Sequence, residues 1–250
     1  MLDQNTKLWI LVIVSLLAVV VLCFVGRIPQ DLAYHQFADF RQFGGINNFS
    51  NVLSNLPFLL IGLLGLWRYP RLAERESKAG YWVLCMGVVL VGFGSAAYHY
   101  APSNTSLLWD RLPMTVAFMA LLSLLLSERV IGNYKNATLW LLVACGMVAA
   151  LYWSWTELQG RGDLRPYVLV QFLPILLMPL ILLLFPARYL RGSLLFVAFV
   201  LYFSAKVCEH FDYEIFTMTR CVSGHTLKHA VAALAVLCII CAVPTRGANN

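Results

Sequence analysis

Eight largely apolar stretches divide this chain, at roughly 8–26, 50–67, 81–100, 112–127, 137–154, 167–186, 192–208 and 225–243. A helix that crosses a bilayer needs about 20 mostly apolar residues, and each of these runs approaches or reaches that length. Inside lipid every backbone N–H and C=O must be satisfied within the segment, which makes the helix the natural form for each run. The rest of the composition agrees. Charged residues are 12% of the 250 and hydrophobic residues 60%, whereas soluble proteins carry about 25% charged residues. So few charges cannot cover a water-soluble surface. A soluble globular enzyme, a disordered chain, a coiled coil and a small disulfide scaffold are excluded together. The sequence predicts an all-α integral membrane protein with short loops.

The first run could be mistaken for a cleaved signal. Its apolar core from Leu8 to Val25 exceeds the length of a signal-peptide core, and no A-x-A site follows it, so it reads as a retained helix. The formal net charge of +6 does not point to nucleic acid, because the basic residues are scattered singly between apolar runs. They set orientation instead. Ten Lys and Arg fall on the side of the N-terminus and six on the other, while Lys206 and Lys228 lie within helices. This bias predicts both termini in the cytoplasm. Five of the seven cysteines sit in apolar runs, and no CxxC is present. A thiolate metal site is therefore not expected. Cys208 and Cys221 flank a loop on the predicted outer side, where a disulfide between them would persist. Two unpaired thiols are the alternative.

Ionisable and amide side chains are costly inside lipid, so their clustering is informative. The segment SGHTLKH places His225 and His229 four residues apart, on one face of the last helix, within reach of one metal ion. GSAAYHY, closing the third helix, carries Ser95 and His99, again four apart. The third and eighth spans run in opposite directions, which brings all four residues to one depth in the outer leaflet. Asp110, in WDRLPM, is expected to begin the fourth helix on the same side. Three imidazoles and one water form the open tetrahedral site of catalytic zinc, in which the water's pKa falls to about 7. Taken singly, each residue has a plainer reading: packing for Ser95, pairing with Arg111 or capping for Asp110, buried hydrogen bonding for each histidine. Asn48, Asn51 and Asn55 share one stripe near the second helix. Amides so spaced commonly bond neighbouring helices, and ordering the site is the other role open to them.

The combination of Ser–x3–His, an Asp eleven residues further on and a distant His–x3–His resembles the alkaline ceramidases of the CREST superfamily, seven-helix membrane hydrolases related to the adiponectin and progestin receptors. GFGSAAYHY, SGHTLKH and FADFRQFGGINNFSNVLSN look close to bacterial ceramidase-like members. The resemblance covers residues 34–243. It implies a seven-helix core at 31–250 preceded by one extra transmembrane helix at 1–30, in a bacterial inner membrane with the site near the outer face. It further implies zinc on His99, His225 and His229, with Asp110 as general base and then acid. Ser95 would donate to the oxyanion, a contribution of about 3–4 kcal/mol in other hydrolases. The substrate would be a ceramide-like lipid taken sideways from the bilayer and cleaved to a fatty acid and a sphingoid base. Animal members resemble one another in an acidic calcium-binding stretch ending in a Glu. That position is Asn48 here, and the nearby acids are Asp31 and Asp39, so calcium stays open. Asp39 beside Arg41 is equally suited to an ion pair that stiffens its loop. Rival readings are a sibling hydrolase acting on another lipid amide or ester, a receptor-like protein with structural zinc, and a proton-relay transporter. The chain carries nothing that fixes an oligomeric state.

Overall fold

The computed structural model describes residues 2–73, 78–132 and 136–246; Arg75 and Lys135, which enter the charge count, lie outside the described residues. The protein is all-helical, with eight helices long and apolar enough to cross a membrane. Among the described residues there is no strand, only two isolated bridges.

Helix α1 (Gln4–Phe24) starts at Asp3, whose carboxylate accepts the Thr6 N–H at 2.6 Å. It packs along α7 (Arg165–Leu184) and buries Leu11 alone, so most of its apolar surface faces outward. A loop then crosses one end of the bundle to the short helix α2 (Phe49–Leu53), which leads through Ser54 and Asn55 into α3 (Leu56–Arg68). Next come α4 (Lys78–Tyr100) and α5 (Asn104–Leu126), joined at Ala101–Ser103 as a tight antiparallel pair. The bundle continues with α6 (Ala137–Leu158), α7, α8 (Gly192–His210), the short α9 (Asp212–Thr219) and α10 (Gly224–Ala242). Pairs α4–α5 and α8–α10 make the broadest contacts. The core lies between them and includes Tyr81, Leu122, Leu125 and Ile240, all buried.

One local expectation is corrected. The fourth span begins at Asn104, not near 112, because Ser103 caps it by accepting the Ser106 N–H at 3.1 Å. Its polar first turn conceals the start from an apolar-run criterion. Asp110 therefore lies six residues inside α5, about 9 Å from the helix start at 1.5 Å per residue, instead of opening it. Ser95 stands five residues before the end of α4, at matching depth. At the cysteines, where the sequence left two forms open, the unpaired one is found. Cys208 and Cys221 are free thiols, the first half-buried at the end of α8 and the second exposed. The chain between them folds into α9, and the carboxylate of Asp212 ties this corner to α10.

At the opposite end of the bundle, buried Glu128 accepts the backbone N–H groups of Arg188, Tyr189 and Leu190 at 2.6, 2.9 and 3.1 Å and pairs with Arg129 at 2.9 Å. Arg129 is thus committed to the interior, which lowers its weight in the orientation count.

Candidate metal centre

Residues from both ends of the sequence meet beneath the 25–48 loop. His99 enters from the last turn of α4, His225 and His229 from the first two turns of α10. All three are buried, and their nearest ligand atoms lie within 4.8 Å of one another. His99 Nε2 and His225 Nε2 face each other at 3.3 Å. The ring centroids stand 4.8–4.9 Å apart in all three pairs. Phe37 roofs the cluster, its ring 4.8 Å from His99 and 4.9 Å from His225.

The local sequence explains why the histidines are held so. Ser223 caps α10 by accepting the Thr226 N–H at 3.1 Å. Asp212 Oδ1 accepts the His225 N–H at 2.7 Å, and its Oδ2 accepts that of Ala38 at 3.0 Å. One carboxylate thereby fixes both the first turn of α10 and the loop that carries Phe37. Gly224 permits this approach: a Cβ there would run into the Cys208 carbonyl and the Asp212 backbone. Ser54 fixes the third ring. Its hydroxyl donates to the Asn51 carbonyl at 2.9 Å, so at 2.7 Å from His229 Nδ1 it must accept. That assigns the proton of His229 to Nδ1 and leaves Nε2 with a free lone pair, the arrangement common for ligating histidines.

These residues fit a metal. The donor set is three converging imidazoles with no competing carboxylate among them, the kind of set zinc prefers. His99 Nδ1 is buried without a hydrogen-bond partner, and the Nε2 atoms of His99 and His225 converge at 3.3 Å.

Ser95 and Asp110 are buried and line, with His229, a cavity of about 350 Å³. Ser95 and Asp110 thus face the same cavity from α4 and α5. Gly94 brings these two helices together: a Cβ there would collide with the Trp109 carbonyl of α5. The cavity walls continue down α4 through Val91 and Val88 to Leu84 and are otherwise built largely of apolar side chains such as Leu121, Met178 and Ile239. From Ser95 to Leu84 is eleven residues, a depth of roughly 16 Å. A polar end joined to a long apolar slot suits a lipid chain.

The asparagines link elements. Asn48 Nδ2 donates to the His99 carbonyl at 2.8 Å; Asn51 donates to the Asp39 carbonyl at 3.2 Å and accepts from Thr226 Oγ1 at 3.0 Å. Asn55 Nδ2 donates to the Asn51 carbonyl at 2.8 Å, within its own segment. Both nearby acids are engaged by their own loop. Asp31 accepts the Ala33 N–H, and Asp39 holds Arg41 through two bonds of 2.8 and 2.7 Å, the stiffening ion pair the sequence suggested. Burial pushes the Asp39 carboxyl up, but the Arg41 hydrogen bonds outweigh it and hold the group below its ordinary value.

Sequence reading missed five polar residues here: Ser54, Asp212, Lys206, Glu209 and Lys228. Glu209 accepts Lys206 at 2.7 Å and Lys228 at 2.8 Å, and all three line the cavity. The only advance signal was charge inside two otherwise apolar helices.

A family model described as Ceramidase matches residues 37–245 of this chain. None of the curated proteins searched matches the sequence.

Proposed function

The chain belongs to the ceramidase family, and from that premise we propose that it is a zinc-dependent intramembrane amidohydrolase that cleaves the N-acyl amide of a ceramide-like lipid to a fatty acid and a sphingoid base. The observation that carries this reading is the buried cluster of His99, His225 and His229 beside a cavity that also presents Ser95 and Asp110. Zinc held by the three histidines would supply Lewis acidity, polarising a carbonyl and making water acidic enough to ionise near neutral pH.

The chain's own residues do the rest. Asp110 takes a proton from the attacking water and returns it to the departing nitrogen. Ser95 orients Asp110 with its one hydrogen and swings that hydrogen toward the carbonyl oxygen as charge develops there. The apolar walls hold the acyl chain and exclude bulk water, and Phe37 closes the top. We further propose a seven-helix core at 31–250 with α1 as an additional anchor at 1–30. The charge bias supports termini in the cytoplasm and the site near the outer face.

The test is incubation of purified protein with ceramide and mass spectrometry of the products. Fatty acid and sphingoid base should appear in equal amounts, with about one zinc per chain, and both should vanish in a His225→Ala His229→Ala double variant. Release of neither product by zinc-loaded protein would overturn the assignment of substrate.

A further inference from the structure

Ser95 has one hydrogen, and in the proposed reaction it must serve both Asp110 and the carbonyl oxygen. A carbonyl oxygen that gains a full charge during amide hydrolysis is held better by a second, charged donor beside Ser95. Lys228 is placed to be one. It lies on α10 one residue before His229, with its ammonium 3.2 Å from His225 Nε2 and 2.8 Å from Glu209 Oε1. The ammonium stands beside the histidine cluster, and its side chain lines the same cavity as Ser95 and Asp110. An ammonium has three hydrogens, and these contacts use two. The bond to His225 Nε2 draws on a lone pair that a metal would also take, so loading the site releases a second hydrogen. Glu209 then remains the anchor, itself steadied by Lys206 at 2.7 Å.

We propose that Lys228 is a further catalytic residue, the anion-binding group of the cavity, whose ammonium donates to the charged oxygen of the tetrahedral intermediate and then to the carboxylate of the released fatty acid. This rests on the amidohydrolase reading. In that reaction the oxygen of water bonds to the acyl carbon, and the carbonyl π pair moves onto its oxygen. As that pair re-forms the carbonyl, the C–N bond breaks toward nitrogen, which takes the proton carried by Asp110. Nothing is oxidised or reduced.

Two measurements on the zinc-loaded, full-length protein in neutral detergent test it. The first is turnover and metal content of Lys228→Met and Lys228→Arg. Lys228→Met should keep its zinc and its KM within threefold while kcat falls roughly 10²–10³-fold, the scale of a lost oxyanion donor; Lys228→Arg should recover at least tenfold of that loss. A kcat within threefold of the original in zinc-loaded Lys228→Met overturns the proposal. The second needs no variant and no turnover. Palmitate, but not the neutral palmitamide, should protect Lys228 from reductive methylation, read by peptide mass spectrometry. Equal labelling with either lipid overturns the anion site. Protection without ceramide hydrolysis would sink the proposed reaction and leave the anion site standing.

Discussion

At the residue scale, proton positions separate the roles in the cavity. Asp110→Asn should retain zinc and lose turnover, because an amide cannot carry the proton. Ser95→Ala should also retain zinc but lose roughly 10²–10³ in rate. Metal analysis beside initial rates checks both, and loss of zinc from Ser95→Ala would make Ser95 a support of the metal instead. Ser54 makes the complementary case. Its hydroxyl fixes the His229 tautomer from 2.7 Å, so Ser54→Ala should weaken metal affinity by about 10–100-fold, the usual effect of removing a ligand's hydrogen-bond partner. Competition with a calibrated chelator measures it, and Ser54→Thr should restore most of the loss.

At the scale of elements, the spans were legible from apolar runs, and so was the pairing of His225 with His229, because helical spacing is written locally. The unread parts are non-local. Ser54 and His229 are 175 residues apart, and Asp212 acts on Ala38 from 174 residues away; no periodicity encodes such contacts. Helix starts were misread where capping chemistry replaced apolar residues, as at Ser103. The closeness of α4 and α5 also depends on a feature that composition hides, the missing side chain at Gly94. Gly94→Ala would set a methyl group against the Trp109 carbonyl. It should destabilise the protein by about 1–3 kcal/mol and part Ser95 from Asp110, lowering kcat beyond what the stability loss explains. Thermal unfolding in detergent, run beside rates at a temperature where the variant is folded, separates the two effects.

Across the whole molecule, α1 is joined to the bundle by a small polar lock. Arg165 donates to the Val25 carbonyl at 2.9 Å and holds Asp163 through Nε at 2.8 Å and Nη2 at 2.7 Å. Those hydrogen bonds keep the Asp163 carboxyl below its ordinary value of 3.8. A depressed carboxyl stabilises the fold above the unfolded-state pKa, about 3.9, and that stability is lost as pH falls through the lower folded value. Asp163→Asn should therefore unfold at a lower temperature than the original protein at pH 6, and the gap should close below about pH 4. A gap that stays constant as pH falls from 6 through the acid range would show that the Asp163 charge does not contribute to the lock. The separation of the histidines has a consequence for how the protein is made. His99 is synthesised 126 residues before His225, and α10 follows the other seven spans of the described residues. A ribosome that has delivered the first seven spans into the membrane has built a nascent chain holding one imidazole of three. A metal held by all three would therefore enter only once α10 has been made, and a chain truncated before α10 would lack two of the imidazoles that gather it.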